Sequence, residues 1–255
     1  MGMDSISITS LLALWSAPRL HELFSQDAAR AAQWVCLLAR EGLPQAQVCY
    51  GRMLLAGTGP PADPVAALKW FQRAADANHL DAINMLGRCL DNGWGTPADP
   101  AAASEQYRRA ADAGHAWAQY NLGHLYLDGR GIERDATRAY AYYLRAAEQG
   151  HERAMNLVGR CCDQGWGTCP DPAAAAAWYR RSAQAGYFRG QFNWAVVLLE
   201  QCRFDEAAAY FERAVNGGPD SIRAAVIAII ERAGGVLPQL AARLKAELPG
   251  TSSEH

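Results

Sequence analysis

The stretch AWAQYNLGHLYLDGRGIERDATRAYAYYLRAAEQGH, residues 116–151, decides the fold, because it is one copy of a unit that recurs along the chain. Ala118, Leu122, Leu125 and Tyr126 follow one another at three- and four-residue steps, which places them on one face of an α-helix. Asp128-Gly129-Arg130-Gly131 ends that helix, since glycine accepts the left-handed conformation favoured at a helix C-terminus. A second helix begins after Asp135, whose carboxylate suits the N-cap, and stops at Gly150. Shifted by 36 residues, the same design appears at 44–79, 80–115 and 152–187 without a slip of register. Gly51, Gly87, Gly123 and Gly159 align; so do Trp70, Gln106, Tyr142 and Trp178, and Ala74, Ala110, Ala146 and Ser182. Asp63-Pro64, Asp99-Pro100 and Asp171-Pro172 open the second helix of their units with a cap and a proline at the first helical position, where a missing N–H costs nothing; Asp135-Ala136 keeps the cap alone. A glycine inside the first helix costs ~1 kcal/mol against alanine, so a neighbouring helix must press close there.

Helix pairs that cannot bury their faces alone have to be stacked in series. The sequence therefore predicts an all-α, right-handed α/α superhelical solenoid with a concave and a convex face. A shorter fifth unit spans 188–219. Residues 1–43 read as N-terminal capping helices with a degenerate half repeat, since Trp34 lies 36 residues before Trp70. Residues 220–255 read as a C-terminal helical cap and tail, with Ile222, Val226, Ile229 and Ile230 on one helix and Leu240 and Leu244 on another; Leu237 to Leu248 is alternatively a partner-binding helix.

The 255 residues are 50% hydrophobic and 20% charged, which excludes a disordered chain. Lys and Arg number 24 against 26 acidic residues, so no basic field favours nucleic acid. No apolar run approaches the ~20 residues of a membrane span. The first twenty residues carry Asp4 and an apolar core of only Leu11 to Trp15, so no secretion signal is expected. Seven cysteines at irregular spacing fit a reducing compartment, and the cytoplasm is the expected location.

The run Ala118-Gln119-Tyr120-Asn121-Leu122-Gly123, continued by Tyr126, Gly129-Arg130-Gly131, Asp135, Ala139, Tyr142-Tyr143, Arg145-Ala146-Ala147 and Gly150, resembles the Sel1-like repeat, a 36-residue relative of the tetratricopeptide repeat. The resemblance covers about 44–187. Residues 188–217, with Arg203-Phe204-Asp205-Glu206-Ala207 between the helices, are more similar to an ordinary tetratricopeptide unit. The resemblance implies an adaptor that holds other proteins together, with no cofactor and no chemistry of its own. It also implies a groove lined by the first helix of each unit. Counting outward from the packed glycines then selects Arg52; Asp81, Asn84, Arg88 and Asp91; Trp117, Tyr120 and His124; Arg153, Asn156, Arg160 and Asp163; and Arg189 and Phe192. Arginine offers bidentate donors to carboxylates, asparagine can clamp a peptide backbone, and the aromatics are typical anchors. The expected partner is a protein or peptide, acidic or presenting a C-terminal carboxylate. In the opposing reading this face is merely solvated, with Arg88 pairing Asp91 and Arg160 pairing Asp163 as i,i+3 neighbours worth ~0.2–0.5 kcal/mol each.

Other features compete. Gly57-Thr58-Gly59-Pro60-Pro61-Ala62 and Gly93-Trp94-Gly95-Thr96-Pro97-Ala98 have the spacing of a dinucleotide loop, but each follows a helix, whereas that loop needs a preceding strand. Trp94 and Trp166 sit between glycines and are secondary anchors, unless each folds back over its own unit. Cys161, Cys162 and Cys169 lie within nine residues and suggest a thiol- or metal-responsive sensor; against it, Cys161 aligns with Cys89 and Leu125, an apolar slot. His79, His115 and His151 recur at the unit period, too far apart to share an ion, and read as turn residues. Some Sel1-like proteins are linked to β-lactam hydrolysis, but Lys69 and Lys245 are preceded at the required distance by Ala66 and Ala242, so Ser-x-x-Lys is missing.

Overall fold

A computed structural model describes residues 27–234 and 237–246, and among these residues there are thirteen helices and no strand. The expectations for residues 1–26 and 247–255 lie outside the described residues. The chain divides into two compact units, Met1–Arg134 and Asp135–His255, and the division falls inside the third repeat.

In the first unit run α1 (Ala28–Arg40), α2 (Pro44–Ala56), α3 (Pro64–Asp76), α4 (Leu80–Asn92), α5 (Pro100–Asp112) and α6 (Ala116–Asp128). Each packs on the next, and α2 also touches α4, first helix against first helix. On α1, Trp34 packs with Tyr50 and Trp70 around Leu38, Ala39 and Ala46. In the second unit run α7 (Ala136–Glu148), α8 (Glu152–Gln164), α9 (Pro172–Gln184), α10 (Phe188–Glu200), α11 (Phe204–Gly217), α12 (Asp220–Arg232) and α13 (Pro238–Ala246). Consecutive helices pack here too, and α8 touches α10.

The aspartates cap as their spacing predicts. Asp63 accepts from the Ala66 amide at 2.9 Å, Asp99 from Ala102 at 3.0 Å and Asp135 from Arg138 at 2.9 Å; Asp171 accepts from both Ala173 and Ala174. The histidines do more than turn the chain, because each is the N-cap of a first helix. Nδ1 of His115 accepts from the Ala118 amide, and Nδ1 of His151 from that of Ala154, both at 3.2 Å.

Three of the glycines inside the first helices meet a ring, as a helix pressing close requires. A Cβ on Gly51 would stand 2.6 Å from Phe71, one on Gly87 2.7 Å from Tyr107, and one on Gly159 2.6 Å from Tyr179. Each ring belongs to the second helix of the same pair and is buried. Burying a side chain of this size stabilises by ~1.5–3 kcal/mol, which offsets the propensity cost of the glycine beneath it.

The Gly-x-Gly turns are clamps between repeats. Gly95 has φ +75° and would place a Cβ 2.2 Å from the Pro64 carbonyl oxygen at the start of α3. Gly167, with φ +72°, would place one 2.0 Å from the Ala136 carbonyl oxygen at the start of α7. Only glycine satisfies both the left-handed backbone and that approach. At the C-terminal end, Val226, Ile230, Leu240 and Leu244 are buried, while Arg243 pairs with Glu212 and Lys245 with Glu231.

Candidate functional site

In the first unit the candidate residues fall on α2, α4 and α6, and they are not equivalent in their surroundings. Asp81 is already engaged. It accepts from Nε2 of His115 at 3.0 Å, and Arg52 stands 3.8 Å away. Since Nδ1 of His115 accepts the Ala118 amide, the ring's other nitrogen carries the hydrogen that Asp81 receives. The His115 hydrogen bond, reinforced by nearby positive charge and opposed by burial, holds the Asp81 carboxyl below its ordinary range.

Asn84 departs from its expected role. It is 4% exposed, and its Oδ1 accepts from Nδ2 of Asn121 at 2.9 Å. Its amide therefore ties α4 to α6 instead of waiting to clamp a backbone. The i,i+3 pair of Arg88 with Asp91 does not form either. Asp91 accepts from Arg130 at 3.0 Å, and the Arg88 guanidinium lies 5.0 Å from the centre of the Trp94 ring, with Nη1 3.5 Å from the Met85 sulfur. Trp94 thus folds back over its own repeat, and in doing so joins the two sites that sequence treats as rivals. Arg52, Arg88 and Trp94 line one cleft of about 440 Å³, whose other walls are Leu55, Ala56, Pro64 and Met85. No carboxylate lines it. Beyond it on α6, Trp117 meets Tyr120 edge-on at 6.0 Å, and Tyr120 meets His124 at 4.6 Å. Trp117 is 41% exposed, which suits an anchor.

The second unit repeats part of this. The Arg160 guanidinium lies 4.8 Å from the centre of the Trp166 ring, and Asp163 accepts from its neighbour Gln164 and not from Arg160. Asn156 is 3% exposed, and its Oδ1 accepts from Nδ2 of Asn193 at 2.8 Å, so it too is a structural tie. Arg153 stands 3.8 Å from Glu152 and 5.8 Å from the Tyr187 ring, while Arg189 lies 5.6 Å from the Phe188 ring. Phe192 packs edge-on against Phe211 at 5.9 Å, which anchors it inward.

The cysteine constellation does not assemble. Cys161 and Cys162 are both buried, Cys169 is exposed, and no cysteine is in a disulfide. Desolvation, with Cys162 adding to it, pushes the Cys161 thiol up to about 12, and burial raises that of Cys162 as well. Thiolate, the reactive and metal-binding form, is disfavoured at both. Among the described residues no group of three His, Cys, Asp or Glu side chains is placed to hold a metal ion. Nor is any helix among them long and apolar enough to cross a membrane.

Comparison with known proteins agrees with this architecture. A Sel1 repeat family model matches residues 44–79, 80–115, 118–151 and 152–187. The solved structure of a Sel1 repeat protein from Oxalobacter formigenes superposes with TM-score 0.76 at 25% identity, covering 94% of this chain and 98% of that one. That of c5321, a protective antigen of uropathogenic Escherichia coli with an SLR fold, superposes with TM-score 0.70 at 25% identity, covering 93% of this chain and 53% of that one. The chitin synthase regulator SKT5 of Saccharomyces cerevisiae is 36% identical over 83 residues, 32% of this chain. The match spans only 12% of that regulator's length. Four matched repeats in unbroken series, each built as a capped helix pair closed on a glycine, place this chain in the Sel1 repeat family.

Proposed function

We propose that this chain is a protein–protein interaction adaptor that binds a partner peptide on the faces of its first helices, through carboxylates supplied as acidic side chains or as a C-terminus. Sel1 repeat proteins act in protein–protein interaction, and the yeast relative is by name a regulator of another protein. The observation that carries the finer reading is the state of Arg88 and Arg160. Each guanidinium is laid against a tryptophan and has no acidic partner among the described residues. A cation held in this way keeps its N–H edge for a ligand, and hydrogen bonds between charged groups are the stronger ones, ~1.5–3 kcal/mol each. Trp117 and Tyr120 supply apolar contact, and Arg52 adds a second guanidinium to the cleft in the first unit. The reading assigns the chain no catalytic role and places it in the cytoplasm, where seven unpaired thiols stay reduced.

Affinity capture from native lysate tests this, comparing the wild-type chain with an Arg88→Glu, Arg160→Glu double variant whose helical circular dichroism is unchanged. The expected result is a protein retained by the first and lost by the second. Equal retention by both would move the interaction away from these arginines.

A further inference from the structure

Repeats compared two apart show a longer period. Asn84, Arg88, Cys89 and Trp94 are followed 72 residues later by Asn156, Arg160, Cys161 and Trp166, whereas the repeat between them carries Tyr120, His124, Leu125 and Arg130 at the corresponding places. Each compact unit builds the recurring set in the same way. The asparagine is buried and accepts from an asparagine 37 residues on, at 2.9 Å in one unit and 2.8 Å in the other. That bond fixes one first helix against the next. One helical turn further, the arginine lies over the tryptophan of the following turn, at 5.0 Å and 4.8 Å. The second glycine of each turn, Gly95 or Gly167, lies against the start of the preceding repeat's second helix, which fixes the backbone that carries the indole.

Two other arginines of these faces have acids beside them: Arg52 has Asp81 and Arg153 has Glu152, each at 3.8 Å. Arg88 and Arg160 have none among the described residues, and Nη1 of Arg88 meets a weak acceptor, the Met85 sulfur, at 3.5 Å. We infer that the chain holds two copies of one recognition element, an asparagine-braced Arg–Trp pair in each compact unit, each of which takes one carboxylate side chain of a peptide partner. The inference rests on the carboxylate-binding reading above and deepens it. A single C-terminus fills only one element, so the partner presents acidic side chains at two positions. The apolar walls of the first cleft, Leu55, Pro64 and Met85, call for an aliphatic neighbour beside the acid.

The probe is Ac-Leu-Glu-Leu-NH2, with Ac-Leu-Gln-Leu-NH2 as control, titrated into full-length protein labelled with 15N at tryptophan. Trp94→Phe and Trp166→Phe variants assign the two indole resonances. Both resonances should move with midpoints within about threefold of each other, under ~1 kcal/mol, and the glutamine peptide should move neither. Arg88→Gln should weaken the Trp94 response about tenfold or more and leave that of Trp166 unchanged, and Arg160→Gln the converse, since each removes one charged hydrogen bond. A response at one indole only would overturn the duplication and leave carboxylate binding standing. No response at either, or an equal response to the glutamine peptide, would overturn both.

Discussion

The two compact units share a scaffold and differ in how neighbouring repeats are tied together. In both, an aspartate caps the second helix, a ring sits on a helical glycine, and a Gly-Trp-Gly turn carries an arginine against its indole. In the first unit several ties across repeats are charged: Asp81 with Arg52, Asp91 with Arg130, and Arg109 with the Ala75 carbonyl. At matching places the second unit has Arg153 where the first has Asp81, and its Asp163 turns to a neighbouring glutamine. A tie it does show between repeats is neutral, Asn193 Nδ2 donating to Asn156 Oδ1 at 2.8 Å, which the first unit matches with Asn121 and Asn84. Features that packing and backbone geometry demand recur every 36 residues; the charged surface groups are free to vary within that frame.

The largest expected effect comes from breaking what the units have in common. Gly95→Ala and Gly167→Ala each force a side chain into a left-handed conformation and onto a carbonyl oxygen, so each should cost about 3 kcal/mol or more. Gly87→Ala meets only the Tyr107 ring and keeps an ordinary helical backbone, so it should cost about 1–3 kcal/mol. Urea midpoints for the three variants, with hydrogen exchange to localise the loss to one unit, decide the matter. A Gly95→Ala loss no greater than that of Gly87→Ala would mean that the turn does not lock the repeats.

Much of this scaffold was legible in the sequence, because caps, prolines at helix starts and turn glycines act within a few residues of where they stand. The repeat period, the helix pairs and the place of Cys161 in the core followed from that local chemistry. What was not legible depends on the direction in which a side chain leaves its helix. The column Trp70, Gln106, Tyr142 and Trp178 aligned conspicuously, yet the rings against the glycines are one residue on, at Phe71, Tyr107 and Tyr179. Asn84 and Asn121 stand 37 apart, so comparison at 36 does not pair them, and their mutual hydrogen bond engages the buried Asn84. Arg88 and Trp94 belong to different elements, and only the path of the turn after Gly93 brings the ring back over the guanidinium.

Next in size are the asparagine ties, which test whether the units are braced alike. Asn84→Ala leaves the Asn121 amide without its acceptor and should cost about 1–3 kcal/mol, and Asn156→Ala should cost as much through Asn193. In a double-mutant cycle each pair should show a coupling of ~0.5 kcal/mol or more. Single variants within ~0.5 kcal/mol of wild type would make the ties incidental.

The smallest effect is also the one that separates the units, since it depends on charge. Asp81 titrates below its ordinary value of 3.8 in the folded chain because His115 donates to it and Arg52 stands nearby. A carboxyl with a depressed folded pKa contributes stability that is fully present above its unfolded pKa and is lost as pH falls through the folded one. Both Asp81 and Arg52 are about half exposed, so screening limits the contribution to ~0.2–1 kcal/mol. Asp81→Asn should therefore lower the urea midpoint of the first unit at pH 7, and the difference from wild type should shrink as the pH drops below 3.8. Added salt should shrink it at pH 7 as well, because exposed pairs are screened. In the second unit the corresponding residue is Arg153, so the midpoint there should not follow the same acid dependence. An Asp81→Asn difference that persisted unchanged into acid would show that the aspartate acts by shape and hydrogen bonding alone, and that charge does not distinguish how the two units are held.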